Sequence, residues 1–485
     1  MSHRWPRALA CCVALTLAPA PLRAQTAIPD TPAGSALRAW LEAYNSGDSV
    51  RVAAFLRTYQ AEPALRNSFR FRPMSGGFDL LTVEVSEPRH IEFFLRHRKD
   101  PMVAYGSLDV SPGNPARVGG TLQPLGPNVS PTALRIDRAS RARVVGRVAA
   151  LLDTFYVSPE VGKRISDSLR VRLARGAYDG YANGAGLANR LNAELHEIAR
   201  DHHLRIWYSA RPQPREPAAA KAPAAPSPEE VARERSAMDE INCGFRKAEQ
   251  LDGNIGYLRL DEFADPAICG STAEAAMNFL AGTRALIIDL RENGGGKPGM
   301  VALVASYLFD RRTHLGDLWT RHTDSTEAFW TQDSVAGRRF DGDKPVYVLT
   351  SAHTFSAAEA FAYDLQALKR ATIVGETTAG GAHPASEGRI DDYFVLMVPW
   401  GKAINPVTRT NWEGVGVEPD VKVPASEALV TAQKLVRDRT PWQRFAPAPL
   451  FFGVSDWRHQ RAGSAAECFL CRRGAATRTV AGSRR

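Results

Sequence analysis

Apolar positions along the chain follow two periodicities, and the change from one to the other divides it into three parts. Leu37, Trp40, Leu41 and Tyr44 have helical spacing after a potential Ser35 cap. Strand-like runs follow this helix at Leu80–Val85, His90–Leu95 and Met102–Val110. A helix followed by an antiparallel sheet predicts a small α+β domain over residues 33–127.

The second part, residues 137–210, is predicted to be helical. Val144, Val148 and Leu151 begin one apolar helix face, and Leu187, Leu191 and Leu195 form another. After His202 and His203 the chain alternates like a strand as far as Tyr208. Residues 211–235 are rich in alanine and proline, and this composition predicts a linker.

The third part, residues 240–435, alternates short buried strands with helical segments. This alternation predicts an α/β core. Residues 453–485 contain few apolar runs and many Arg, Gly, Ala and Ser, so we expect this tail to be disordered.

The first part, residues 33–127, is similar in pattern to the curved sheet around a helix of cystatins and ketosteroid isomerase. It shows no convergent catalytic residues, so a binding or spacer role is expected for it.

The N-terminus has the pattern of a secretory signal. Arg4 and Arg7 precede the apolar run Ala8–Ala18, and small residues follow as far as Ala24. We expect a signal peptide over residues 1–24 and a secreted or periplasmic protein, which the intact mass of the exported chain would test. The run is too short to span a bilayer, and no later segment of the sequence is long and apolar enough to do so.

Charge and cysteine content narrow the classes of partner and cofactor. The formal charge of +9 falls to about +6 after loss of the three signal arginines, and it is spread along the chain. Nucleic-acid binding is therefore not expected. Cys243 and Cys269 could pair in an oxidising compartment. Cys468 and Cys471 form a CxxC without a second pair, so no zinc site is predicted there. The sequence as a whole implies no metal or organic cofactor.

Ser356 stands at a chemically special position. It follows the apolar run Val346–Leu349 and a polar turn, and it begins a helix. Free N–H groups at a helix start can hold an anion, including the oxyanion of an acyl-transfer intermediate. Ser356-x-x-Glu359 is also a capping box, in which the serine serves only the helix. The segment alone leaves both interpretations open.

A glycine run provides a second candidate element. Gly294–Gly296 follows the strand that ends at Asp289 and precedes another helix. Consecutive glycines permit positive φ, and their N–H groups can form an anion nest. A phosphate-binding loop is not expected, because Pro298 follows Lys297 where a hydroxyl residue is required. A plain tight turn is the alternative.

Four motifs in order resemble those of the tail-specific (C-terminal processing) serine proteases, especially the branch of the interphotoreceptor retinoid-binding protein and the tricorn core protease. The resemblance covers about residues 137–435 and implies a core of β-β-α units, as in the Clp protease subunit and crotonase. The motifs that carry it are Asp289-Leu-Arg-Glu-Asn-Gly-Gly-Gly296, Thr354-Phe-Ser-Ala-Ala-Glu359, Val374-Gly-Glu-Thr-Thr-Ala-Gly-Gly-Ala-His383 and Asn411-Trp-Glu-Gly-Val-Gly-Val-Glu-Pro-Asp420.

The resemblance also implies roles for individual residues. Ser356 matches the nucleophile. The N–H groups of Ala357 and of Gly295, the latter within one residue, match the oxyanion hole. His203 matches the general base and Glu413 its carboxylate partner, a set whose chemistry is that of a serine activated by an oriented imidazole.

The sequence departs from the family in two places. Tail-specific proteases use the lysine of a Gly-Lys-Gly turn as the base. The corresponding turn here is Gly380-Gly381-Ala382, so a Ser–Lys dyad is not supported. His203 could instead be an ordinary structural histidine and Glu413 a loop carboxylate. The rival bases are His202 and His383, with Lys297 and Lys402 after them.

The second departure concerns a PDZ domain, which relatives usually carry between the helical part and the core. Only a linker fits between residues 211 and 240 here, so recognition of free C-termini is doubtful.

The sequence therefore predicts an exported serine peptidase that acts on peptide or protein substrates through a Ser356 acyl-enzyme. The alternative is a non-catalytic protein that binds peptides or hydrophobic ligands on the same fold. A periplasmic scaffold, with residues 33–127 as its partner-binding part, is a third hypothesis. Substrate specificity and oligomeric state are left open.

Overall fold

The computed structural model describes residues 27–213 and 227–439. The predicted signal peptide, the predicted C-terminal tail and the cysteine pair near the C-terminus lie outside these residues, as does much of the predicted linker. Within them, no helix is long and apolar enough to cross a membrane.

The first part packs its helices on a four-stranded antiparallel sheet with strands in sequence order. Its first helix begins at Pro32 rather than after Ser35, because Thr31 Oγ1 accepts the Gly34 N–H at 3.0 Å and caps the helix. Its fourth strand was not predicted, since glycines and a proline interrupt the apolar pattern. The elements are α1 (Pro32–Ser46), α2 (Ser49–Thr58), α3 (Pro63–Ser68), α4 (Arg72–Ser75), β1 (Phe78–Ser86), β2 (His90–His97), β3 (Met102–Val110) and β4 (Val118–Pro127).

The second part is helical, as predicted, and ends in a short strand. Its apolar faces form one buried cluster that also takes in residues of β2, β3 and a core strand, Phe394–Pro399. The first two parts and the core are thus joined by continuous apolar packing, which fixes the chain that leads to His203. The elements are α5 (Arg138–Phe155), α6 (Pro159–Ala174), α7 (Gly184–Ala199) and β5 (Arg205–Tyr208).

A helix, α8 (Pro228–Glu240), occupies the end of the predicted linker and extends beyond it. Ser227 Oγ accepts the Glu230 N–H at 3.2 Å, and the Glu230 carboxylate accepts the Ser227 N–H at 2.7 Å. This capping box satisfies two donors at the helix start. The box was the signal in the sequence, and the surrounding Ala/Pro composition concealed it.

The core is built on a six-stranded sheet in the order β16-β12-β11-β8-β7-β6, in which only β6 is antiparallel to its neighbour. The predicted fold class, an α/β core preceded by helical and α+β parts, is confirmed. Two three-stranded sheets, β10-β9-β15 and β13-β14-β5, flank it. The core elements are β6 (Phe245–Leu251), β7 (Ile255–Leu260), α9 (Pro266–Leu280), β8 (Ala285–Asp289), α10 (Pro298–Ser306), β9 (His314–Thr320), β10 (Ser325–Trp330), β11 (Val346–Thr350), α11 (Ala357–Ala367), β12 (Thr372–Gly375), β13 (Ala385–Arg389), β14 (Phe394–Pro399), β15 (Gly401–Ile404), β16 (Val421–Lys422) and α12 (Ala428–Arg439).

Sheet topology brings the predicted motifs together. β8 and β11 are parallel neighbours, with Asp289 opposite Leu349, so the loops that follow them leave the same edge of the sheet. These loops carry Gly294–Gly296 and Ser356. β5 pairs with β14 and delivers the residues just before it, including His203, to the core.

A disulfide joins Cys243, just before β6, to Cys269 in α9, with Cα atoms 5.6 Å apart. The sequence left this pairing open. Both residues are buried in the core cluster, so the bond ties the first core strand to the helix that follows β7.

Candidate active site

Ser356 has an unusual backbone conformation, φ 56° and ψ −120°, at the N-cap of α11. A non-glycine residue adopts this region only where its surroundings hold it there. Glu359 contributes by accepting the Ser356 N–H at 2.8 Å. Gly295 lies against the turn, because a Cβ at Gly295 would come within 2.8 Å of the Ser356 Cβ. The turn therefore presents the hydroxyl at a tightly packed point that requires a glycine opposite.

The Glu359 carboxylate anchors this turn from below. It is fully buried and accepts the N–H groups of Gly380 at 2.6 Å and Gly381 at 2.8 Å, in addition to that of Ser356. Burial raises the pKa of Glu359, while these donors favour the carboxylate. The sequence left capping and catalysis as alternatives for Ser356. In the structure the Glu359 carboxylate binds the backbone N–H of Ser356, not its Oγ, so the two roles are compatible.

His203 lies directly on Ser356, with Nε2 3.1 Å from Oγ. Its ring stacks on Phe355, with centroids 4.4 Å apart. Gly381 leaves room for the ring, since a Cβ there would come within 2.7 Å of His203 Cε1. Burial lowers the pKa of His203 to about 4, so the imidazole is neutral and able to accept a proton at pH 7.

The predicted contact between Glu413 and His203 is not made through a hydrogen bond. Glu413 Oε2 instead accepts the N–H groups of Ala382 at 2.6 Å and His383 at 3.1 Å. Glu413 Oε1 and His203 Nδ1 are both buried, and neither has a hydrogen-bond partner within the described part of the chain. The carboxylate that does bond to His203 is that of Asp201, whose Oδ1 accepts the backbone N–H of His203, not the ring, at 3.0 Å.

Asp201, His383 and Glu413 form a cluster behind His203. Asp201 Oδ2 is 2.8 Å from His383 Nδ1 and accepts the Tyr156 hydroxyl at 3.1 Å, while His383 Nδ1 is 3.6 Å from Glu413 Oε2. Burial by itself would raise the pKa of Asp201, but the hydrogen bond and charge of His383, together with the His203 backbone N–H, lower it. Burial by itself would lower the pKa of His383, but Asp201 and the charge of Glu413 together raise it. Burial, and then the charge of Asp201, raises the pKa of Glu413 to about 7.

Within residues 27–213 and 227–439, this cluster also has the spacing of a possible metal-binding group. One ligand atom from each of Asp201, His383 and Glu413 lies within 4.8 Å of the others. The Asp201–His383 hydrogen bond and the backbone donors on Glu413 already account for the arrangement. The three side chains thus form a charge network beside His203.

The candidate oxyanion donors are Ala357 and a glycine of the run. The Gly295 N–H, the sequence-based choice, donates to Asn293 Oδ1 at 2.8 Å and is therefore occupied. The N–H groups of Gly296 and Ala357 have no partner among the residues described, and both residues line the cavity beside Ser356. Asn293 is itself fixed through Nδ2 to the Leu260 carbonyl at 2.9 Å. The candidate donor thus moves by one residue, to Gly296.

The rival bases are placed elsewhere. The His202 ring contacts that of His196 in a tilted arrangement, with centroids 4.9 Å apart, and Lys402 Nζ lies 4.9 Å from the Trp319 ring centroid. His383 is held by Asp201. Lys297 lines the cavity at the start of α10 but makes no hydrogen bond to Ser356 within the described structure. His203 is the base candidate that contacts the serine.

Sequence reasoning missed four residues of this site: Tyr156, Asp201, Asn293 and Phe355. Asp201 and Phe355 are immediate neighbours of recognised motif residues, and Asn293 precedes the glycine run, so proximity was the available signal for these three. Tyr156 follows α5, and nothing in its local sequence indicates that it reaches Asp201.

A cavity of about 440 Å³ opens beside Ser356. Its walls come mainly from α10, α11, β9 and the segment from Gly381 to Trp412, and they are largely apolar. His203, Gly296 and Ala357 lie at the Ser356 end. The arrangement therefore offers a nucleophile, a base and two free donors at the mouth of one pocket.

Comparison with known proteins identifies the class. The model of peptidase family S41 matches residues 254–423, and the model described as the N-terminal domain of Peptidase_S41 in eukaryotic IRBP matches residues 133–246. These two matches, in sequence order, confirm the resemblance to the tail-specific serine proteases over residues 133–423.

Curated relatives match part of this chain. Carboxyl-terminal-processing peptidase 2, chloroplastic, of Arabidopsis thaliana is 27% identical over 40% of this chain and 38% of its own length. The C-terminal processing peptidase, chloroplastic, of Tetradesmus obliquus is 33% identical over 35% of each chain. The tricorn protease of Thermoplasma volcanium is 28% identical over 36% of this chain and 16% of its own length. The chain thus matches about two-fifths or less of the length of these relatives.

Solved structures with similar folds include two proteases. The photosystem II D1 C-terminal processing protease has a TM-score of 0.37 and 18% identity, covering 59% of this chain and 94% of that one. The tricorn protease has a TM-score of 0.36 and 13% identity, covering 73% of this chain and 45% of that one.

Proposed function

We propose that this protein is a serine peptidase that hydrolyses peptide bonds through an acyl-enzyme on Ser356. The observation that carries the proposal is the 3.1 Å contact between Ser356 Oγ and His203 Nε2 at the start of α11. The family supports the same chemistry. Peptide or protein substrates follow from it, and the chain's own residues provide every group that the reaction below uses.

The reaction would proceed in two halves. His203 Nε2 takes the Ser356 hydroxyl proton while Oγ bonds to the substrate carbonyl carbon. The carbonyl oxygen becomes an oxyanion that accepts hydrogen bonds from the Gly296 and Ala357 N–H groups. The C–N bond then breaks, and His203 gives its proton to the leaving amine. Water repeats the sequence on the acyl-enzyme and releases Ser356.

Asp201 and Glu413 would act through other groups. Asp201 fixes the backbone at His203 and stabilises the imidazolium electrostatically, as its negative charge opposes the effect of burial on the His203 pKa. Glu413 holds the backbone at Ala382 and His383, next to Gly381, on which the His203 ring packs. We assign both carboxylates as positioning residues and retain Glu413 in the site in that role.

Covalent labelling tests the proposal. A fluorophosphonate probe phosphonylates a serine only when a base removes its proton and an oxyanion hole is present. We expect stoichiometric labelling of the native protein, with the adduct located on Ser356 by peptide mass spectrometry, and no labelling after heat denaturation. A folded protein that is not labelled would favour the alternative, a binding protein on the same fold.

The charge cluster predicts where the pH profile bends. The pKa of His203 is about 4 and that of Glu413 about 7. Below pH 7, Glu413 becomes protonated, and the hydrogen bonds that it accepts from the backbone N–H groups of Ala382 and His383 weaken. We therefore expect kcat/KM to rise with pH through about 7, although His203 remains neutral well below that value.

Glu413→Gln is the matched control for this profile. Glutamine mimics the protonated carboxyl at every pH, so the bend near pH 7 should disappear and activity should stay at the lower level. A wild-type profile that bends only near pH 4 would show that His203 alone sets the acid limb.

We further propose that the protein is exported to the periplasm or outside the cell. The predicted signal at residues 1–24 and the Cys243–Cys269 disulfide both support an oxidising compartment. If the intact mass of the exported chain does not correspond to a chain that begins at Gln25, cleavage after Ala24 is contradicted.

A further inference from the structure

The cavity beside Ser356 reaches a buried acid on the same helix. Ser356, Ala360 and Asp364 are spaced four residues apart, so they lie on one face of α11, and all three line the cavity. Eight residues of α-helix rise about 12 Å. Asp364 therefore lies far along the pocket from the nucleophile, with only the small side chain of Ala360 between them.

Asp364 is buried but only half-satisfied. It is 8% exposed, and its Oδ1 accepts the Asn405 Nδ2–H at 2.8 Å. Oδ2 has no hydrogen-bond partner, and the carboxyl has no ion pair, within the residues described. Gly316 lies next to it, because a Cβ there would be in ordinary van der Waals contact with Oδ2, at 3.5 Å. An acid without a cation of its own thus faces the cavity.

The cavity walls restrict what could reach this acid. They are mostly apolar, so a side chain that enters must tolerate apolar surface along its length. Lysine and arginine have such stems and carry their charge at the tip. Short side chains would leave Asp364 unpaired. The apolar wall residues include Val301, Leu315, Phe329, Ile404 and Trp412.

We propose that Asp364 selects substrates with a lysine or arginine side chain at P1, the residue whose carbonyl is attacked by Ser356. This inference rests on the proposed peptidase function. The cation would pair with Oδ2 while Asn405 holds Oδ1, so the carboxylate would be satisfied on both oxygens only when the substrate is bound.

The protonation of Asp364 gives a second signature. Burial raises its pKa to about 8, so the carboxyl of the empty pocket is largely neutral at pH 7. The other charged or titratable groups on the cavity wall are Lys297, Asp317, His203 and His383, and of these Asp317 is paired with His314 at 2.7 Å. A bound cation favours the ionised form. KM for a basic substrate should therefore fall as pH rises towards 8.

Matched fluorogenic peptides that differ only at P1 test the proposal. Citrulline has nearly the shape of arginine without its charge. We expect kcat/KM for P1 arginine to exceed that for P1 citrulline about 30-fold or more in the wild-type protein, the scale for loss of one partner of a buried charge pair. The fall of KM towards pH 8 should appear with arginine and not with citrulline.

Two variants locate the acid responsible. Asp364→Asn keeps the size of the side chain and its oxygen for Asn405, and it should reduce the arginine preference to about threefold or less. Asp317→Asn removes the other carboxylate on the wall and should retain the preference. The opposite pattern would overturn the assignment to Asp364.

The labelling experiment separates the possible failures. Fluorophosphonate labelling does not depend on a P1 side chain. A labelled enzyme that cleaves after leucine or citrulline as fast as after arginine would overturn the P1 proposal and leave the peptidase intact. Absence of both labelling and cleavage would overturn both. If Asp364→Asn does not fold, the arginine–citrulline comparison in the wild type is decisive, and equal rates contradict the proposal.

Discussion

Replacing Ser356 by alanine is expected to lower kcat for peptide hydrolysis about 10⁴-fold or more, to the level that binding and the oxyanion donors alone provide. The hydroxyl is the atom that forms the acyl bond, and His203 Nε2 at 3.1 Å is the group that activates it. No other serine in the described structure lies within hydrogen-bond distance of that nitrogen. Turnover of a peptide substrate, measured at saturating concentration, checks the expectation.

The fold should survive this change. Glu359 holds the backbone N–H of residue 356, not the hydroxyl, so the main anchor of the turn is retained. Loss of any capping contribution from the serine costs about 1 kcal/mol. Thermal unfolding should therefore shift by only a few degrees. Ser325→Ala changes an exposed serine of β10 and is the matched control, which should keep full turnover. Turnover at the wild-type level in Ser356→Ala would place the nucleophile elsewhere.

The parts of the site that could be predicted from the sequence are those encoded by local pattern. β8 and β11 are continuous apolar runs that end in turn residues, so both strands and the loops after them were recognisable. The strand pattern alone does not predict that β8 and β11 are neighbours in the sheet. Ser356 and the glycine run were therefore predictable as elements, and the family resemblance placed them in one site.

The details of hydrogen bonding were not predictable in this way. Gly295 and Gly296 are chemically identical in sequence, and only the direction of each N–H distinguishes the occupied donor from the free one. That direction depends on φ values of 109° and 134° and on the Asn293 side chain. A choice accurate to one residue is the limit that sequence permits here.

Carboxylate partners were the hardest to assign. Glu359 and Glu413 belong to recognised motifs and Asp201 lies two residues before His203, and each of the three carboxylates accepts backbone N–H groups near the nucleophile. Which of them faces His203 depends on how β5, β14 and the 380–383 turn pack together. This long-range packing has no signature in any one segment.

The second large effect is expected for His203→Ala, which should slow acylation about 10⁴-fold. The neutral imidazole is the base that takes the Ser356 proton, and its removal leaves no other proton acceptor at hydrogen-bond distance from Oγ within the described chain. Single-turnover release of the first product, and the rate of fluorophosphonate labelling, both report this step. Residual activity should rise with hydroxide concentration and show no bend near pH 7.

His202→Ala is the matched control, because it changes the adjacent histidine, which is exposed and whose ring contacts that of His196. It should leave acylation within about twofold of the wild type, as surface changes usually do. His383→Ala distinguishes positioning from proton transfer: it removes the partner of Asp201 and should lower kcat yet keep a measurable burst of acylation. If His203→Ala acylates normally while His383→Ala does not, the proton acceptor is His383, and the 3.1 Å contact at Ser356 has only a structural role.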